Sequence, residues 1–97
     1  MKVMISQPMK GKTTEQIRKE REEVVKQLVE EGHEVIDTIF TEEAPKDSDE
    51  AIYFLAKSIE AMAKVDELVF LPGWQNARGC RIEYEVARNY GKYIKQL

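Results

Sequence analysis

Glu67-Leu68-Val69-Phe70-Leu71-Pro72-Gly73 holds the strongest structural signal in the chain. Past its first residue the run is unbroken apolar to Leu71, the pattern of a strand covered on both faces, and Pro72-Gly73 ends it. Such a strand belongs at the centre of a parallel sheet. Downstream, Gly73–Gly79 reads as a loop. Ile82, Val86 and Tyr90, at spacings of four, then define a helix that Gly91 closes, and Tyr93–Gln96 forms a last strand. Upstream, Ile52, Leu55, Ile59 and Met62 share one face of a helix running from about Ser48 to Lys64. It is preceded by an acidic connector, Thr41–Glu50, containing Pro45 and expected to be mobile. Glu34–Phe40 supplies β-branched residues for a strand. Before it lies a helix with a capping-box start in Thr13-Thr14-Glu15-Gln16, an apolar stripe of Ile17, Val24, Val25, Leu28 and Val29, and a stop at Gly32. Lys2–Ser6 is the opening strand, ended by the polar stretch Gln7–Lys12. Strands alternating with helices imply right-handed crossovers and an α/β fold. The expected form is a three-layer α/β/α, flavodoxin-like (Rossmann-like) parallel sheet of strand order 2-1-3-4.

Ninety-seven residues, 42% hydrophobic and 34% charged, fit a single domain spanning 1–97. A net charge of −3 argues against broad, salt-driven contact with nucleic acid, which needs a concentrated basic face. The lone Cys80 excludes an intramolecular disulfide and fits a reducing compartment, and the single His33 leaves no zinc-ligand cluster. No metal site is expected. No run approaches the length of a membrane span, and the first apolar residues are too few for a signal peptide. The expectation is a soluble, cytoplasmic protein with neither nucleic acid nor membrane as partner.

In an open parallel sheet, ligands bind beyond the carboxyl ends of the strands where the order reverses, here between the first and third strands. Two loops flank that point. One offers Ser6, Gln7, Pro8, Met9, Lys10 and Lys12; the other offers Gly73, Trp74, Asn76, Arg78 and Gly79. Each leads into a helix N-terminus whose free N–H groups favour an anion. Trp74 could stack on a planar ring or serve as a packing contact, and Asn76 could read a base or sugar hydroxyl. Glu83 follows near the start of the third helix, whose dipole is expected to favour its ionised form. An ionised carboxylate in a crevice can act as nucleophile or base; it can also simply stabilise a helix start. Glu85 points elsewhere and can pair with Arg81 or Arg88. Asp66 lies at the opposite end of the sheet, as a turn residue. Tyr53, Phe54 and the Thr41–Glu50 connector are candidates to shape the pocket.

Ser6-Gln7-Pro8-Met9-Lys10-Gly11-Lys12-Thr13 sits where a P-loop would sit and ends in Gly-Lys-Thr. Ser6 replaces its first glycine, Pro8 removes a backbone donor, and no strand ends in an acidic magnesium ligand. A second likeness covers nearly the whole chain. Ile5-Ser6-Gln7-Pro8-Met9, the stretch from Ser58-Ile59 through Val65-Asp66-Glu67-Leu68-Val69, and Leu71-Pro72-Gly73 through Gly79-Cys80-Arg81-Ile82-Glu83 with Ala87 resemble the nucleoside 2-deoxyribosyltransferase superfamily, especially its short bacterial and phage-carried relatives. The resemblance implies that Glu83 attacks the anomeric carbon of a nucleoside, releases the base and holds the sugar as a glycosyl-enzyme. Water as acceptor gives hydrolysis; a second base gives transfer. It implies no metal or organic cofactor and an assembly of identical subunits. Lys10, Lys12, Arg78 and the helix termini would suit a phosphate, so a nucleoside monophosphate is the favoured small-molecule partner over a free nucleoside. The alternative is a nucleotide-binding module without catalysis. Four positions depart from the superfamily pattern, the first being Gln7 in place of the glycine of the usual Ser-Gly-Pro. Ala77 stands where an acid or hydroxyl is usual, Ser58 where active members direct a helix carboxylate, and Glu85 where a glycine follows the catalytic glutamate.

Overall fold

The computed structural model describes residues 1–97 and contains four strands and three α-helices. In chain order they are β1 (Lys2–Ser6), α1 (Thr14–Glu30), β2 (Glu34–Val35), α2 (Glu50–Met62), β3 (Glu67–Phe70), α3 (Arg78–Asn89) and β4 (Tyr93–Gln96), with a 3₁₀ turn at Trp74–Asn76 before α3. All pairings are parallel and the order is β2-β1-β3-β4, the expected flavodoxin-like arrangement. Chain reversal of order falls between β1 and β3, which pair from Val3 opposite Glu67 to Ser6 opposite Phe70.

Strand alternation divides the core into two layers. Val3, Ile5, Val69 and Leu71 point to one face and pack with Leu28, Val24 and Val25 of α1. Met4, Leu68 and Phe70 point to the other and pack with Met62, Trp74, Cys80 and Ala87 from α2, the 3₁₀ turn and α3. Each end of α1 is closed by its own chemistry. The Thr13 hydroxyl accepts from the Gln16 N–H at 3.1 Å while the Gln16 side chain accepts from the Thr13 N–H at 2.8 Å, completing the capping box. At the other end Gly32, at φ 89°, lets its own N–H reach Val29 O and the His33 N–H reach Leu28 O, a Schellman stop.

One expected element is shorter than anticipated, and two helical rows are divided between core and solvent. β2 is far shorter than Glu34–Phe40. Past Ile36, whose N–H still reaches Val3 O, side chains replace the ladder: Asp37 accepts from the Ile39 N–H at 2.9 Å, and the Thr38 hydroxyl, not its backbone, meets Ile5 O. On α3, the Ile82–Val86–Tyr90 row that defines the helix is split, with only Val86 packed on the core. The buried residues are Cys80, Glu83 and Ala87, whereas Ile82 is 37% and Tyr90 79% exposed. Small side chains let α3 lie close to the sheet, and the bulk is supplied by Phe70, Trp74 and the half-buried Tyr84 instead. On α2, Met62 is buried and Ile59 packs on the core, but Ile52 in the first turn is exposed. The connector before α2 is tied to it through Glu42, which accepts from the Tyr53 hydroxyl and lies 3.5 Å from Lys57 Nζ.

Candidate functional site

β1 ends in Ser6, and because Ser6 shares the Met4 face of the sheet its side chain points toward α3. There its Oγ donates to Glu83 Oε1 at 2.6 Å, joining residues 77 positions apart in a bond where both partners are buried, at 1% and 8% exposure. The expectation that the α3 dipole would favour ionised Glu83 does not hold for the net effect. Glu83 is in the second turn, beyond the reach of the terminal dipole, and burial raises its pKa. The Ser6 hydrogen bond, the Arg21 charge and the Ser58 hydroxyl act in the opposite direction. Ser6 also meets the Cys80 thiol, whose pKa burial pushes up.

The next residue, Gln7, points to the opposite face. Its Oε1 accepts from Arg21 Nε at 2.5 Å and its Nε2 donates to Ile17 O at 3.2 Å, so the whole amide is spent fastening β1 to α1. Arg21 is 5% exposed; its Nη1 reaches the Thr38 hydroxyl, and its Nη2 has no partner. Desolvation lowers the Arg21 pKa, with the charges of Asp37 and Glu83 opposing and Arg18 adding to it. A buried cation therefore sits on the α1 side of the switch point and a buried acid on the α3 side.

The second loop meets the first where Gly73, at φ 88°, passes Pro8; a Cβ on Gly73 would lie 3.6 Å from Pro8 Cγ. Gly79 is one turn before Glu83 on the same helical face, and a Cβ there would meet nothing within 4 Å. No side chain caps α3, since its N-cap is Ala77.

The other candidates divide. Ser6 and Glu83 come together, as do Gly73 and Pro8. Trp74 does not present a free ring: it is 8% exposed, stacked on Tyr84 at 4.7 Å between centroids and packed on Phe70, so of its two readings the packing contact is the one seen. Lys12 is held along α1 by Glu20 at 2.7 Å. Met9, Lys10 and Asn76 are exposed, and Arg78 lines a groove on the outer face of α3. Glu85 pairs with Arg88 at 2.8 Å, and Asp66 binds the Lys2 N–H at 3.0 Å at the far end of the sheet. Arg21 and Thr38 were not anticipated. The signal for Arg21 was present, because it falls four residues after Ile17 and seven before Leu28, inside the apolar stripe of α1; Thr38 carried none. No group of three or more His, Cys, Asp or Glu side chains converges anywhere in the fold, and no helix is long and apolar enough to cross a membrane.

Compared with protein-family models, residues 1–96 match the domain of unknown function DUF4406. The chain belongs to the DUF4406 family. No curated protein and no solved structure matches it. In this DUF4406 domain the Ser6–Glu83 bond is the buried side-chain contact that links β1 to α3.

Proposed function

We propose that the chain processes N-glycosidic bonds of nucleosides or nucleoside 5′-monophosphates, with Glu83 as the nucleophile. The observation that carries this reading is the 2.6 Å hydrogen bond from Ser6 to Glu83, buried at the carboxyl edge of the sheet where strand order reverses. A glutamate on the second turn of a helix has no structural need to be buried. This one lies one turn after Gly79 on a helix whose first turn has no side-chain cap, and free N–H groups at such a start suit a phosphate. The resemblance to nucleoside 2-deoxyribosyltransferases puts the nucleophile at the same position, and Ser58, which replaces their helix carboxylate, acts on Glu83 here.

In the reaction, a Glu83 carboxylate oxygen bonds to the anomeric carbon as the C–N bond breaks. The base leaves with the bonding pair and takes a proton from solvent. Water then adds to the anomeric carbon, loses its proton, and displaces the carboxylate; a second base in place of water gives transfer. Ser6 holds the attacking group in one orientation, and Arg21 offsets part of the cost of ionising it.

A second reading, a nucleotide-binding module without turnover, draws on the burial that raises the Glu83 pKa and so disfavours the nucleophilic form. Glu83→Gln separates the two. For the enzyme, base release is lost while calorimetry still shows nucleotide binding; for the module, no base is released by either protein and only affinity changes.

A further inference from the structure

We infer that Tyr53 and Lys57 of α2 form a phosphate-binding site in which Glu42, from the chain's own connector, stands in for the phosphate and is displaced by it. This rests on the nucleotide reading and gives a nucleoside 5′-monophosphate a cationic anchor besides the N–H groups at the start of α3. Tyr53 and Lys57 stand four residues apart on one helical face, with Lys57 Nζ 5.7 Å from the centre of the Tyr53 ring. Both reach the same atom. Glu42 Oε2 accepts from the Tyr53 hydroxyl and lies 3.5 Å from Lys57 Nζ, so a single oxygen serves two donors. The ammonium contact is longer than the roughly 2.9 Å of a charge-assisted bond. A phosphate monoester brings three acceptor oxygens and a charge of about −1.5 to −2 at pH 7, and can meet each donor with an oxygen of its own. The two donors favour an anion: the Tyr53 bond holds the Glu42 carboxyl below its ordinary pKa, with desolvation opposing and the Lys57 charge adding to it.

Glu42 is marked as a stand-in by how little else holds its segment. From Thr41 to Asp47 no backbone hydrogen bond reaches the sheet or a helix, and Glu42 is the one side chain that does. The same stretch is exposed except for the half-buried Ala44. Displacing one carboxylate therefore frees the connector without breaking another bond. Lys12 offers the contrast, because its acid, Glu20 at 2.7 Å, is fixed on α1. The place also suits a ligand of the crevice. In an all-parallel sheet the chain leaves β2 at the carboxyl edge, so the connector and the first turns of α2 lie at the edge where the crevice opens. Lys57 directly precedes Ser58, whose hydroxyl acts on Glu83.

The test is calorimetric titration of the wild type, Glu42→Gln and Lys57→Met with inorganic phosphate, a nucleoside 5′-monophosphate and its parent nucleoside, with circular dichroism as the folding control. Glu42→Gln removes the competing charge and should bind inorganic phosphate roughly threefold tighter than the wild type, the scale of an exposed ion pair. Lys57→Met should bind it about tenfold more weakly, the loss of a charge-assisted bond. The nucleoside 5′-monophosphate should follow the same order, and the parent nucleoside should respond to neither substitution. A Glu42→Gln protein that binds phosphate no tighter overturns the site, since a merely structural Glu42 gives a lower melting temperature and no gain in affinity. So does Lys57→Met with unchanged affinity. The pattern with inorganic phosphate alone would assign the site to free phosphate and overturn the nucleotide anchor. None of these titrations needs turnover, so a protein that shows the full pattern and releases no base would contradict the chemistry at Glu83 and leave this site standing.

Discussion

Helices α1 and α3 both start at the carboxyl edge of the sheet, one after each loop of the crevice, and they start differently. α1 closes itself: the Thr13–Gln16 capping box satisfies its first turn, Lys12 turns away to Glu20, and Gln7 is fully engaged beneath it. α3 has Ala77 at its N-cap, no side-chain cap, and open space over Gly79 one turn before Glu83. The buried charges divide the same way. Arg21 on α1 is tied to Gln7 and Thr38, whereas Glu83 on α3 is tied to Ser6. The α1 half of the crevice is thus closed by its own hydrogen bonds, whereas the α3 half, on which the proposed function rests, leaves its helix start without a side-chain cap.

The sharpest way to break this contrast is to remove each buried charge in turn. Glu83→Gln is expected to lower turnover by about a thousandfold or more, the scale of losing a nucleophile, with little change in melting temperature. Arg21→Met should do the reverse in kind, costing about 2 kcal/mol of stability in denaturant titration because the buried Gln7 oxygen loses its donor. Equal stability losses from both substitutions would erase the distinction. The two helix starts predict a smaller pair of effects of opposite sign. Thr13→Ala should destabilise by about 1 kcal/mol, and Ala77→Ser should stabilise by up to about 1 kcal/mol, both read from denaturant midpoints.

A subtler difference concerns pH. Burial raises the Glu83 pKa in the folded state above the ordinary carboxylate value of 4.5, so the folded chain holds that proton more tightly than the unfolded chain. Its contribution to stability is complete below that ordinary value and is lost as pH rises through the raised folded value. Relative to Glu83→Gln, the wild type should gain melting temperature as pH falls across that window. A constant difference between the two proteins would show that Glu83 is not strained by burial.

The fold was legible because its signals were local and mutually consistent. The Leu68–Leu71 run, the capping box and Gly32 each specify one conformation with short-range chemistry, and strand order follows from their alternation. β2 was overestimated because Asp37 and Thr38 carry side chains that take over hydrogen bonds the backbone would otherwise make. The spacing of Ile82, Val86 and Tyr90 marks α3 as a helix but does not tell which residues it buries, because close packing on the sheet selects a thiol, an alanine and an acid. At the site, Ser6 and Glu83 could be read from topology and resemblance together. Trp74 could not be placed by sequence, since nothing local distinguishes a ring stacked on Tyr84 from one left free for a ligand.

The most direct test of the Ser6–Glu83 pair as a reacting centre is chromatographic detection of free base after incubation with a panel of nucleosides and nucleoside 5′-monophosphates, with and without an acceptor base. The wild type is expected to release base from at least one member of the panel, and Glu83→Gln from none. Release by both proteins alike, or by neither, would contradict Glu83 as the nucleophile.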